Sequence, residues 1–243
     1  MKSNSEKREW SDGPTFKTWQ MFDRIATTYD LLNHTLSGGI DIIWRKKLAR
    51  MVPVDAKDYL DLATGTGDQL IAVCRERPGI KKATGMDLSE GMLAIGREKI
   101  PGLALRQDIS MVTGDAMDLP AEDNSFDAMT MSFGIRNVED VPKALSDIHR
   151  VLRPGGKALI MEFAMPTNPV VRAGYSLYFR HILPTVGGWV SGDKSAYAYL
   201  NQSAEAFAQG EAFCTLMKEA GFGEVSFTPL TFGIANIYQG VKR

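Results

Sequence analysis

The run Asp61-Leu-Ala-Thr-Gly65-Thr-Gly67-Asp68 closes one apolar segment with a glycine-bearing turn, and Gly85-Met-Asp87 and Gly114-Asp115-Ala116 close the next two with acids. Such segment ends, laid side by side at the carboxyl edge of a parallel sheet, make a pocket for a nucleoside. Glycine has no Cβ, so Gly65 and Gly67 let the backbone approach a ligand closely. Asp87 suits the second acid of such a site, the one that receives ribose hydroxyls. Two nucleoside cofactors fit this outline, a nicotinamide dinucleotide and S-adenosylmethionine. A dinucleotide turn wants a third glycine for tight helix–strand packing, and Leu70 stands at that place. Asp61 would repel a pyrophosphate, whereas a nearby carboxylate favours the sulfonium and ammonium of S-adenosylmethionine. The pattern therefore points to S-adenosylmethionine, with Asp61, Gly65, Gly67 and Asp87 in its site.

The surrounding elements must present those ends on one edge. Helices and strands alternate from Asp58 onward: strand 58–62, helix 67–77, strand 81–86, helix 89–99, strands 109–113 and 127–132, helix 138–152 and strand 157–163. That alternation predicts a parallel sheet with helices on both faces. Asn137 reads as the N-cap of the helix from Val138, with Glu139 and Asp140 in its first turn and Pro142 early in it. Arg153-Pro154-Gly155-Gly156 ends that helix. Ahead of the sheet, residues 1–14 read as a flexible arm. Trp19, Phe22, Ile25, Tyr29 and Leu32 give helical spacing over Phe16–Leu32, and a second helix covers Ile40–Met51. After Phe163 the alternation breaks into a helical, aromatic-rich insertion, 166–208. Helix 210–220 resumes the core, and strands 224–229 and 234–241 close it as an antiparallel hairpin at one edge. Residues 15–243 then form one domain, with N-terminal helices over 15–52.

Composition removes several alternatives. The chain of 243 residues has 44% hydrophobic and 23% charged residues and a net charge of −1. That balance lacks the basic footprint of a nucleic-acid binder. Cys74 and Cys214 lie far apart, and His34, His149 and His181 are scattered, so no metal is expected. Met1–Pro14 is too polar for a signal peptide, and Val170–Val190 is interrupted by Arg172, Arg180, His181 and Pro184. The expectation is a cytoplasmic protein able to touch the inner face of the membrane, and a homodimer is compatible with it.

Further motifs carry a resemblance. Tyr29-Asp30-Leu31-Leu32-Asn33, Leu36-Ser37-Gly38-Gly39 and Trp44-Arg45 resemble the N-terminal signature of the menaquinone/ubiquinone biosynthesis C-methyltransferases. Arg150-Val151-Leu152-Arg153-Pro154-Gly155-Gly156, continuing to Ile160-Met161-Glu162-Phe163, is similar to that family's second signature, and Ser132-Phe133-Gly134-Ile135-Arg136-Asn137-Val138 fits as well. Ala63, where methyltransferases in general often have glycine, is usual in this family. Two departures are Ala208, where the family has proline, and Phe232, where it has glycine. The resemblance implies an α/β, Rossmann-like class I S-adenosylmethionine-dependent methyltransferase fold. Its mostly parallel seven-stranded sheet would carry an antiparallel terminal strand, a helical N-terminal extension and a helical insertion.

The resemblance also implies a reaction, methylation of a ring carbon on a polyprenylated quinol. Demethylmenaquinol is the first expectation and the ubiquinone precursor the second. A non-catalytic S-adenosylmethionine-binding scaffold in a quinone-assembly complex is the alternative of a different class. Matched positions place Thr66 on the methionine side of the pocket, Asp115 and Ala116 at the adenine, and Ser132 beneath the sulfonium. Arg136 becomes the residue expected to favour the quinolate, with Asn137 and Tyr29 orienting the ring hydroxyls. Tyr178, Phe179 and Trp189 are the expected bilayer contacts.

Overall fold

The computed structural model describes residues 18–178, 203–204 and 206–243. Two helices, α1 (Thr18–Leu36) and α2 (Ile40–Ala49), precede the sheet and are joined through Ser37-Gly38-Gly39. Then come β1 (Asp58–Leu62), α3 (Asp68–Glu76), β2 (Lys82–Asp87), α4 (Glu90–Lys99), β3 (Asp108–Thr113), β4 (Phe126–Ser132), α5 (Val141–Val151) and β5 (Leu152–Phe163). The chain closes with α6 (Pro169–Leu177), α7 (Glu211–Glu219), β6 (Phe222–Leu230) and β7 (Ala235–Lys242). The expected bilayer residues Phe179 and Trp189 lie outside the described residues.

The strand order is β3-β2-β1-β4-β5-β7-β6, with β7 alone running against the others. It bears out the expected seven-stranded sheet and closing hairpin. The sheet reverses its order between β1 and β4, the place where open α/β sheets bind ligands. Apolar side chains fill both faces, as a parallel sheet with helices on each side requires. Leu60, Leu62, Met129 and Met131 pack against α5 and α7; Tyr59, Ala128, Leu159 and Met161 pack against α2, α3 and α4. Alternation along the strands therefore decides the surroundings of each polar residue. Asp61 shares the face of Tyr59, while Glu162 shares that of Ile160.

Two local expectations shift: Arg153-Pro154-Gly155-Gly156 lies within β5 rather than ahead of it, and the start of α5 moves. Asn137 does not cap α5; it closes a single 3-10 turn, Ile135–Asn137, and α5 begins later. Asp140 is the cap, accepting a hydrogen bond from the Lys143 N–H at 2.9 Å. A helix starting at Val138 would put Pro142 beyond its first turn, where the missing N–H and the ring clash are costly. Starting at Val141 places that proline where no N–H is needed.

Candidate active site

A cavity of about 310 Å³ opens at the carboxyl ends of β1, β2 and β4, a size suited to a small-molecule cofactor. Gly65, Asp87, Asp115, Ala116 and Ser132 line it, as do the two expected substrate residues Tyr29 and Asn137. Asp61, Thr66, Gly67 and Arg136 are not in its wall. Among the described residues its acids are Asp87, Asp115 and Glu139, and no described lysine, arginine or histidine lines it. A wall with three carboxylates suits a positively charged ligand and opposes a diphosphate.

The floor is organised by backbone. Gly65 and Gly67 take φ of +54° and +85°, in the left-handed region that glycine enters freely. Asp87 accepts hydrogen bonds from the N–H groups of Gly65 (2.8 Å) and Ser89 (2.9 Å). Burial nevertheless pushes its carboxyl above the ordinary carboxylate range, the backbone donors offsetting only part of the effect. Asp115 accepts from the Met117 N–H at 2.9 Å. Ser132 donates to Gln69 Oε1 at 3.2 Å.

Gly134 is required by close approach, because a Cβ there would collide with the Ala63 Cβ and crowd the Met131 side chain. Ala63 itself sits at φ +48°. Gly134→Ala is expected to destabilise the protein by about 1–3 kcal/mol through overpacking. The exchange A63G/G134A should recover most of that loss. Thermal melts of both variants check this, and a double variant no more stable than the single one would show that the clash is not the cause.

Asp61 has a different task. It is fully buried on the face of β1 that packs against α2, α3 and α4, and accepts from Thr64 Oγ1 (2.7 Å) and Thr130 Oγ1 (2.5 Å). Burial raises its carboxyl from 3.8 to about 6 despite those donors and the positive charge of Arg45. The folded state thus holds this proton more tightly than the unfolded chain. Its stabilisation is complete below about pH 3.8 and is lost as pH rises through about 6, on the order of 3 kcal/mol. Asp61→Asn, neutral throughout, should gain on the wild type between about pH 4 and pH 7. Urea denaturation at both pH values checks the sign, and a stability difference that does not change with pH would refute it.

α1 closes the cavity from above, with Thr18, Trp19, Phe22 and Tyr29 in the wall. Met21 and Ile25 pack it onto an apolar cluster, and polar contacts fasten it at two further points. Asp23 accepts from the Gly91 N–H at 3.0 Å and from the Ser89 hydroxyl, at the start of α4. Asp30 accepts from Thr66 Oγ1 (2.6 Å) and Lys99 Nζ (2.9 Å), and Lys99 also reaches Asp68 (2.6 Å). Burial would raise Asp68, but Arg45 and Lys99 outweigh it and hold its carboxyl low. Thr66 therefore fastens the glycine turn to α1. Sequence reasoning missed this set, because Asp30 and Thr66 become neighbours only when α1 folds over the sheet.

Arg136 and Glu162 form a buried ion pair at 2.6 Å, the side chains 5% and 0% exposed. Arg136 also donates to the Phe133 carbonyl at 2.7 Å and to Ser203 Oγ at 3.3 Å. Burial raises the Glu162 carboxyl, and Arg136 offsets part of that. Tyr29 feels Arg136 too: burial lifts its phenol, while the positive charges of Arg45 and Arg136 pull the other way.

The sheet order is that of the Rossmann-like class I methyltransferase fold, and the described cavity wall suits a cationic ligand. A model of the ubiE/COQ5 methyltransferase family matches residues 12–242, so the chain belongs to that family. A demethylmenaquinone methyltransferase of Bacteroides fragilis is 44% identical over 224 residues, covering 92% of this chain and 91% of the relative. A ubiquinone/menaquinone biosynthesis C-methyltransferase UbiE of Dinoroseobacter shibae is 39% identical over 223 residues, covering 91% and 89%. Among solved structures, a methyltransferase of Thermotoga maritima superimposes with a TM-score of 0.64 at 21% identity, over 93% of this chain and 99% of that one, a likeness of fold.

Proposed function

We propose that this protein transfers the methyl group of S-adenosylmethionine to a ring carbon of a polyprenylated quinol, with demethylmenaquinol as the first substrate. The observation that carries the reading is the three carboxylates in the described cavity wall, in a chain 39–44% identical over most of its length to named quinone C-methyltransferases. A dehydrogenase is disfavoured because that wall would oppose a dinucleotide's phosphates. The relatives named for both quinone pathways keep the ubiquinone precursor as the second substrate.

Asp87 would bind the ribose hydroxyls while its other contacts hold Gly65 in place. Asp115 would accept from the adenine amine, and the Ala116 N–H would serve a ring nitrogen. Ser132 would floor the reacting end, and Asp61, Thr66 and Gly67 would support the turn from outside the cavity. When bound, the cofactor supplies a methyl group on an excellent leaving group, so the protein's work is positioning and exclusion of water. A quinol hydroxyl that gives up its proton to a water pushes electron density onto the neighbouring ring carbon, which would form the new C–C bond as the methyl–sulfur bond breaks. The ring then releases its own proton to become aromatic again. Tyr29 and Asn137 reach the cavity and would orient the ring hydroxyls. Arg136, behind the wall, would favour the oxyanion through its fixed positive charge, since a guanidinium stays protonated and cannot take the proton.

Mass spectrometry of quinones from cells lacking this chain tests the reading. Accumulation of a naphthoquinone lighter by one methyl is expected. Accumulation of benzoquinone precursors alone would favour the second substrate, and an unchanged quinone pool would reject both.

A further inference from the structure

Phe232 is doubly anomalous. It is 81% exposed, and its backbone sits at φ +56°, ψ 22°, a left-handed conformation that costs a bulky residue and suits glycine. Strain retained at an exposed aromatic points to a use for that side chain. The turn that carries it is pinned to α2, because Trp44 Nε1 donates to Thr231 Oγ1 at 2.9 Å. Beside Trp44 on α2, Ile42 and Ile43 are 53% and 66% exposed. Tyr178, immediately after α6, donates to the Leu36 carbonyl at 2.5 Å, so that the end of α6, with its exposed Leu177, meets the end of α1 just before α2.

Charge follows the same face. α2 buries its acid, Asp41, and exposes Lys46, Lys47 and Arg50 one to two turns beyond the isoleucines. Glu76 of α3 answers Lys46 (3.4 Å) and Arg50 (2.9 Å), leaving three cations against one acid on a chain whose net charge is −1. Apolar tips with cations about 6 Å higher along the helix match the order of a bilayer surface, acyl chains below and anionic headgroups above. Apolar packing also continues inward. Phe22 and Tyr29, which line the cavity, belong to the same small cluster as Leu36, Tyr175, Tyr178 and Ile234 beneath this corner.

We propose that Phe232, Ile42, Ile43 and Leu177, with Lys46 and Lys47, form a docking surface for an anionic lipid bilayer, set where the tail of a membrane-held substrate would enter. This rests on the quinol reading for its purpose, though not for the binding itself. Co-sedimentation of the full chain with phosphatidylglycerol/phosphatidylethanolamine vesicles, and with neutral phosphatidylcholine vesicles, tests it. The wild type should partition to the anionic vesicles and weaken at high salt. F232G/I43S should bind at least about 30-fold less through lost apolar burial. K46A/K47A should bind about 20-fold less. F232G relieves backbone strain, so the double variant should melt no lower than the wild type. It should also methylate a short-chain, water-soluble quinol at the wild-type rate while losing activity on a long-chain quinol held in vesicles.

Unchanged vesicle binding by F232G/I43S would overturn the proposal, as would a wild type that ignores anionic vesicles. A variant that changes from dimer to monomer in sedimentation velocity with its vesicle binding intact would assign the corner to a second copy of the chain and overturn it too. Equal loss of short-chain activity would place these residues in the catalytic fold instead. A wild type that binds vesicles as expected and methylates no quinol would leave the surface standing and reject the function.

Discussion

Replacing Glu162 by alanine is expected to lower the melting temperature by roughly 6–20 °C. The estimate follows from about 3–5 kcal/mol for a buried charge left without its partner, spread over a chain of this size. Arg136 would remain buried with its guanidinium facing a void, and the Phe163 N–H, now 2.8 Å from Glu162 Oε1, would also lose its acceptor. Glu162→Gln keeps an acceptor at the same place and should cost much less. The pair R136M/E162M, apolar and of similar volume, should recover part of the stability, because removing both charges avoids the unpaired one. Part is the right expectation, since Arg136 also serves the Phe133 carbonyl. Calorimetric melts of the three variants check the order, and a Glu162→Ala protein melting within about 2 °C of wild type would refute it. Activity separates structure from chemistry: if Arg136 favours the oxyanion, R136M/E162M should keep cofactor affinity and lose turnover.

Asp87→Ala should weaken binding of adenosylhomocysteine about 100-fold or more, close to 3 kcal/mol. Two effects combine in that figure. The carboxylate is the proposed acceptor for the ribose hydroxyls, and it also receives the Gly65 N–H, so its loss frees the glycine turn. Asp115→Ala, which removes a single proposed contact to the base, should cost about tenfold, one charge-assisted hydrogen bond. Because burial raises the Asp87 carboxyl, wild-type affinity should fall on acidification earlier than an ordinary aspartate would allow. The sign follows from the ionised form being the acceptor: affinity is present above the folded-state pKa and lost as pH falls through it. Isothermal titration calorimetry over a pH series checks both statements. An Asp87→Ala protein binding with wild-type affinity would remove this residue from the site.

Much of the architecture could be read without coordinates. The alternating segments, the glycine turn after β1 and the acids after β2 and β3 are local patterns, and local patterns survive in a one-dimensional string. The placement of Asp87, Asp115, Ala116 and Ser132 in one cavity wall follows from them, since a parallel sheet brings successive carboxyl ends to the same edge. Asn137 reads as an N-cap in the string because two adjacent acids and a proline allow more than one start, and the backbone needs of Pro142 decide between them.

Taken alone, the amino-acid order determined the alternating strands and helices and the glycine and acidic turns at the strand ends, because periodicity and turn chemistry act between near neighbours. Only the tertiary structure decided the strand order and which acids line the cavity. Asp61 and Asp87 look alike in the string, yet strand alternation turns Asp61 to the face packed against α2, α3 and α4, beside Thr130, while Asp87 lies in the cavity wall. A lone glutamate in the apolar run Ala158–Phe163 announces that a partner must exist. That the partner is Arg136, and that Thr66 belongs to Asp30, depends on which elements lie side by side. That is a property of packing between segments distant in sequence, where burial makes each pairing compulsory.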